Sequence, residues 1–190
     1  MGDERIRVLH ESVRTAPVIM KGPYPYFIHP LSDGVPMQSS ELLIAARDLI
    51  NDNVNWNEID KILGIEAMGI PLATALCLIS GKPMVVGRKR EYGLPGETCI
   101  DQSTGYSKGK IYLNDIQEGD RVLIVDDVVS TGGTLLPILE CIDRIGAVTS
   151  DCWIVFEKGD GMNYVRSKGN WPLNSLVRIK MEGTKVIVLD

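Results

Sequence analysis

The hydrophobic positions of the chain fall into short runs divided by polar turns, and the runs alternate in kind. Leu42, Leu43, Ala45, Ala46, Leu49 and Ile50 recur at helical spacing behind Ser39-Ser40-Glu41, where a serine supplies an N-cap. Residues 61–65 are an apolar run of strand length. Residues 69–79 are apolar and helix-like, and Ser80-Gly81 closes them. A strand is predicted over 83–86, and 121–125 (Arg-Val-Leu-Ile-Val) is the clearest strand in the chain. A helix over 133–145 ends at Gly146, a β-rich stretch covers 148–156, and two closing strands follow at 176–179 and 185–188. Strands alternating with helices predict an α/β fold with a mostly parallel central sheet. No repeat or low-complexity linker interrupts this order, so residues 1–190 are expected to form one domain.

Two segments depart from the alternation. The first 37 or so residues hold Pro17, Pro23, Pro25, Pro30 and Pro36, a density that argues against a long helix. The aromatics of 22–27 favour burial, so this part is expected to form an ordered cover. Residues 88–110 are polar and glycine-rich, with no clear period. A mobile lid over a functional site is expected there, with a surface loop or a β-hairpin as the alternatives.

Hydrophobic residues make up 44% and charged residues 24%, the balance of a globular protein with a core large enough to need no disulfide or structural metal. No apolar run approaches about 18 residues. Met1-Gly2-Asp3-Glu4-Arg5 has no apolar segment behind it, so neither a membrane span nor a secretory signal is expected. Cys77, Cys99, Cys141 and Cys152 form no CxxC pair, which fits a cytoplasmic protein. His10 and His29 stand without neighbouring metal ligands, and Trp56 and Trp171 read as packing residues. The net charge of -5 argues against a nucleic-acid partner. An anionic ligand must then be held by local features.

The segment 122–134 offers such features. A buried strand delivers Asp126 and Asp127 at its carboxyl end, and Val129, Ser130, Thr131, Gly132, Gly133 and Thr134 lead into a helix. A glycine-rich turn at a helix N-terminus presents backbone N–H groups to a phosphate, and three hydroxyls add donors. The aspartates suit ribose hydroxyls or a hydrated Mg²⁺. The chain has no GxxxxGK[ST] and no GxGxxG after a strand, so neither a P-loop NTPase nor a dinucleotide-binding unit is indicated.

Residues 122–134 resemble the phosphoribosyl-diphosphate (PRPP) binding motif of type I phosphoribosyltransferases. The resemblance implies a Rossmann-like central parallel sheet, a small hood built from about 1–37 and the closing strands, and a flexible loop over about 88–110. It also implies that residues 129–134 bind the ribose 5-phosphate, while Asp126 and Asp127 hold the ribose and serve catalysis, touching a metal only through Mg²⁺-PRPP. A second match, Gly64 to Pro71, resembles the family's pyrophosphate loop in its adenine-type form, with Met68 where arginine is usual. It implies pyrophosphate contacts at Glu66, Ala67, Met68 and Gly69. Arg88 and Lys89 stand where the family places basic residues against pyrophosphate, and Tyr106, Ser107 and Lys108 match its flexible loop.

The base is expected between the hood aromatics Tyr26 and Phe27 and the strand end Phe156-Glu157-Lys158. An ammonium donates and does not accept, so Lys158 would favour a 6-oxopurine over an aminopurine. Lys158 follows Ser130 by 28 residues, a spacing like that of hypoxanthine-guanine enzymes. Ser130 itself is non-acidic, as in the adenine branch. This mixture is similar to archaeal-type hypoxanthine phosphoribosyltransferases. It implies purine salvage: transfer of 5-phosphoribosyl from PRPP to hypoxanthine and guanine, with Mg²⁺, in a homodimer. An adenine-specific transferase and a non-catalytic PRPP-binding regulator remain alternatives. Glu66, Glu91, Glu97 and Glu157 are all candidates for a general acid or base.

Overall fold

The computed structural model describes residues 3–22, 24–103 and 108–189. Helix α1 (Glu4–Arg14) opens the chain, capped by the Asp3 carboxylate, which accepts from the Arg5 N–H. Leu9 and Val13, four apart, are buried on one face. The N-terminal segment is therefore not irregular throughout: the helix is complete before Pro17, the first proline, and proline density beyond it says nothing about the residues before. The hairpin β1 (Val18–Lys21) and β2 (Tyr24–Phe27) follows, then the short helix α2 (Pro30–Asp33), with Pro30 in its first turn.

The remaining α-helices and β-strands are α3 (Ser40–Asn51), β3 (Lys61–Ile65), α4 (Gly69–Ser80), β4 (Met84–Gly87), β5 (Thr98–Ser103), β6 (Lys108–Leu113), β7 (Arg121–Val129), α5 (Leu135–Ile145), β8 (Val148–Lys158), α6 (Gly161–Arg166), β9 (Leu173–Glu182) and β10 (Lys185–Val188). Strands β10, β9, β8, β7, β3 and β4 lie in that order in a six-stranded sheet. All neighbours run parallel except β9 and β10. The closing strands thus extend the central sheet as its edge. The cover over the sheet's carboxyl end comes from β1, β2 and α2.

Both faces of the sheet are covered, as parallel strands require. On β7 the side chains alternate. Leu123 and Val125 join α1, α3 and α4 on one side, and Val122 and Ile124 join α5 on the other. The central strands are consequently near-continuous apolar runs, which made them readable in the sequence.

Residues 98–103 and 108–113 are strands, not structureless loop. β5 and β6 pair antiparallel, and Arg88 bridges Tyr112 beside them. The reason is apolar content hidden in a polar stretch: Ile100, Ile111 and Leu113 are buried against α5. Of the expected loop residues, Tyr106 and Ser107 lie outside the described residues, and Lys108 begins β6.

Candidate active site

The carboxyl ends of β3, β7 and β8 open into a cavity of about 360 Å³. Ligands of open α/β sheets bind at this end of the strands. All of Val129 to Thr134 line it. The turn is shaped by Gly132, whose φ is +77°. A side chain there would strike Val165 at 2.6 Å and the Gly161 carbonyl oxygen at 2.9 Å. Helix α6 presses on the turn from behind, since a Cβ on Gly161 would lie 2.3 Å from the Ser130 carbonyl oxygen. Thr134, at the N-cap of α5, makes no side-chain cap bond. The first-turn N–H groups of α5 are thus left without a side-chain acceptor from that residue, as an anion site needs.

Asp126 and Asp127 stand at the end of β7 and face the same cavity. Burial raises both carboxyls above the ordinary aspartate value, and at Asp126 the adjacent charge of Asp127 adds to the effect. Two crowded carboxylates favour a neighbouring cation or hydroxyl donors. Among the described residues no cluster of three or more His, Cys, Asp or Glu could cage a metal. Two hard oxygen ligands without a cage fit Mg²⁺, which keeps several waters and binds through substrate phosphates.

Across from the acidic pair lie Glu66, Ala67, Met68 and Lys89. Glu66 accepts a hydrogen bond from the Lys89 backbone N–H at 2.9 Å and so ties the two loops together. Gly69 does not line the cavity. It allows close approach instead, since a Cβ there would sit 2.8 Å from the Val125 carbonyl oxygen and 3.1 Å from Asp126 Oδ1. Arg88 is also off the wall, because its backbone is engaged by Tyr112 and its side chain is exposed.

Tyr26, Phe27 and Lys158 line the end of the cavity under the hairpin. The Tyr26 hydroxyl donates to Asp33 at 2.6 Å, which pins α2 to the hairpin. Phe156 and Glu157 are not on the wall. Phe156 is fully buried, packed edge-on against Phe27 and His29 with centroids 5.8 and 4.6 Å away. Glu157 accepts from the Ser175 hydroxyl at 2.7 Å, on the opposite side of β8. Glu91 and Glu97, offered as acid–base candidates, also fall outside the lining: Glu97 is bonded to Asn114 and to the N–H groups of Tyr92 and Gly93.

The lining includes residues outside the motifs: Ser32 on α2, Gln102 on β5, and the apolar Leu135 and Ile154; Ile65 and Val128 lie within the two matched motifs. The apolar ones continue runs already read as strands or helix. Ser32 and Gln102 carried no signal, since both reach the cavity from distant segments.

The phosphoribosyl transferase domain family matches residues 38–168. The chain belongs to the phosphoribosyltransferase family. Among relatives, a hypoxanthine/guanine phosphoribosyltransferase from Ferroglobus placidus is 49% identical over 184 residues, 96% of either chain. One of the same name from Methanotorris igneus is 46% identical over 182 residues, covering 96% of this chain and 100% of that one. Solved phosphoribosyltransferases share the fold. The adenine enzyme of Trypanosoma brucei superposes with a TM-score of 0.76 at 18% identity, over 93% of this chain and 80% of that one. That of Rhodothermus marinus gives 0.72 at 24% identity, over 90% and 98%. Among the described residues no helix is long and apolar enough to cross a membrane.

Proposed function

We propose that this phosphoribosyltransferase serves purine salvage, moving a 5-phosphoribosyl group from PRPP to hypoxanthine or guanine with release of pyrophosphate. The observation that carries this is one cavity that holds the phosphate turn, the acidic pair and the Lys158 ammonium together. The relatives named hypoxanthine/guanine phosphoribosyltransferase, at 49% and 46% identity over nearly the full chain, support the choice of base.

PRPP would lie with its 5-phosphate in the turn 129–134 and its ribose hydroxyls on Asp126 and Asp127. The pyrophosphate would face the Glu66–Met68 loop and Lys89. The base would stand under Tyr26 and Phe27, its exocyclic oxygen toward Lys158. As the bond to pyrophosphate breaks, positive charge grows on the ribose. The two carboxylates stabilise that charge, and the Lys89 ammonium stabilises the departing anion. The enclosing walls limit water, which would otherwise take the ribosyl group. Asp126 and Asp127 would hold Mg²⁺ through the bound PRPP, and the ion supplies neutralisation of the pyrophosphate charge. A cytoplasmic homodimer completes the proposal.

The test is pyrophosphate release from PRPP and Mg²⁺ with hypoxanthine, guanine, xanthine and adenine assayed separately. Turnover with hypoxanthine or guanine is expected. Turnover with adenine alone overturns the base assignment. Silence with every base, despite PRPP binding, overturns the enzyme in favour of a regulator.

A further inference from the structure

Gln102 lies on the cavity wall with no place in the reaction as described so far. It stands on β5 directly opposite Gly109 of β6. A Cβ on Gly109 would come within 3.2 Å of Gln102 Nε2, so the glycine leaves the room in which the amide lies. From there Gln102 Oε1 accepts a hydrogen bond from the Thr134 hydroxyl at 3.0 Å, across 32 positions of sequence. The hairpin is seated firmly enough to hold this contact. Ile100, Ile111 and Leu113 share a core with Leu135 and Leu136, the residues that follow Thr134 on α5.

Thr134 has a single hydroxyl proton, given to Gln102 in this state. A phosphate dianion in the turn competes for that proton, and a charge-assisted bond is roughly twice as strong as a neutral one. Once the proton points at phosphate, the Thr134 oxygen can still accept. A primary amide turned end for end offers it a donor, Nε2. The resulting chain runs from Gln102 N–H to the Thr134 oxygen and from the Thr134 O–H to phosphate, each bond polarising the next. Glutamine serves in both states because its amide has an acceptor end and a donor end. Glutamate has only the first at neutral pH, and alanine has neither.

We propose that Gln102 is a positioning residue for the phosphate subsite: it holds the Thr134 hydroxyl in the ligand-free protein and aims its proton at the sugar 5-phosphate when that group binds. This rests on the transferase reading above, since it takes PRPP as the ligand of the turn. The hairpin and the phosphate turn are then linked by a bond whose direction reports occupancy.

The test is steady-state kinetics with PRPP and base varied in turn, on the wild type and on Gln102→Ala, Gln102→Glu, Thr134→Val, the Gln102→Ala/Thr134→Val double variant and Gly109→Ala. Gln102→Ala should raise the KM for PRPP by about 3- to 10-fold, the worth of one hydrogen bond, with the KM for base nearly unmoved. Gln102→Glu should raise it further. In the Thr134→Val background Gln102→Ala should add nothing, because the two side chains act through each other. Gly109→Ala presses on the amide from the neighbouring strand. It should raise the KM for PRPP in the wild type and add nothing in a Gln102→Ala/Gly109→Ala double variant. It also keeps the test open should a Gln102 variant fold poorly. Additive effects of Gln102→Ala and Thr134→Val, or an equal rise in both KM values, overturn the inference while turnover leaves the transferase intact. A wild type that turns over no base overturns both.

Discussion

Lys158 Nζ donates a hydrogen bond to the Pro25 carbonyl oxygen, 3.2 Å away in the N-terminal hairpin, and stands 5.9 Å from the centroid of the Phe27 ring. The last residue of β8 is thereby joined to the cover of the cavity. Lys158 also lines the cavity, and an ammonium donates but does not accept. Lys158→Ala should lower kcat/KM for hypoxanthine by about 10- to 100-fold, the range for a hydrogen bond to a charged donor. Adenine, with an exocyclic amine, should gain or stay level. The ratio of the two kcat/KM values is the measurement, and an unchanged ratio would sink the role given to Lys158.

Asp126 and Asp127 carry an opposition between stability and function. Burial raises their folded-state values above those of the unfolded chain, so the folded state holds protons more tightly. The stability this brings is fully present below the unfolded value, about pH 4, and is lost as pH rises through the raised folded values. At neutral pH an ionised Asp127, whose value is raised to about 6, therefore opposes folding. Asp127→Asn should raise the Tm of the ligand-free protein near pH 7.5, and the gain should vanish near pH 4. Turnover should fall at least about 100-fold, because a carboxylate that meets the developing ribosyl cation is removed. Thermal melts at the two pH values, beside a pyrophosphate-release assay, check both halves.

How much of this was legible in the sequence depended on whether the physics was local. The phosphate turn and acidic pair were readable because strand, acids, hydroxyls and glycines are contiguous over 122–134. The sheet was readable because parallel strands buried on both faces are apolar throughout. Helix α1 was masked by prolines that all come after it. The β5–β6 hairpin was masked by a polar majority around Ile100, Ile111 and Leu113. Strand alternation corrects part of the base pocket, since neighbours on β8 face opposite sides and Glu157 turns from the cavity to Ser175. The expected place of Phe156 beside the base does not hold, because Phe27 and His29 cover the ring. Ser32 and Gln102 arrive through tertiary packing that no spacing encodes.

Gly161 has no contact with a ligand in the proposed site, yet it sets the position of the phosphate turn. An alanine there would place its Cβ 2.3 Å from the Ser130 carbonyl oxygen and 2.8 Å from the Thr131 nitrogen, both of them backbone. The helix must retreat or the turn must shift. Gly161→Ala is expected to destabilise the protein by about 1–3 kcal/mol, as overpacking does, and to raise the KM for PRPP more than that for base. Denaturant unfolding and the two KM values separate these effects. A stable variant with native PRPP affinity would show that α6 does not support the turn.

His29 is fully buried beneath the hairpin, with Nδ1 accepting from the Leu31 N–H at 3.1 Å and Nε2 2.9 Å from the Ser12 hydroxyl. Ser12 in turn donates to the Leu9 carbonyl oxygen at 2.7 Å. An accepting Nδ1 requires a neutral ring whose proton sits on Nε2, so this chain of bonds fixes one tautomer. Burial pushes the imidazole down to about 4. A folded value below the unfolded one gives stability that is complete above about pH 6.5 and is lost as pH falls through about 4. That depression corresponds to roughly 3 kcal/mol. Urea unfolding near pH 7 and near pH 4.5 should show the wild type losing stability across this window. His29→Asn, whose side-chain oxygen can replace Nδ1 as the acceptor for Leu31 N–H, should start less stable near pH 7 and lose less on acidification. Activity should follow the same acid limb, because α2 carries Ser32 on the cavity wall and is held by the His29 cap. Parallel acid losses in wild type and variant would mean that another group titrates there.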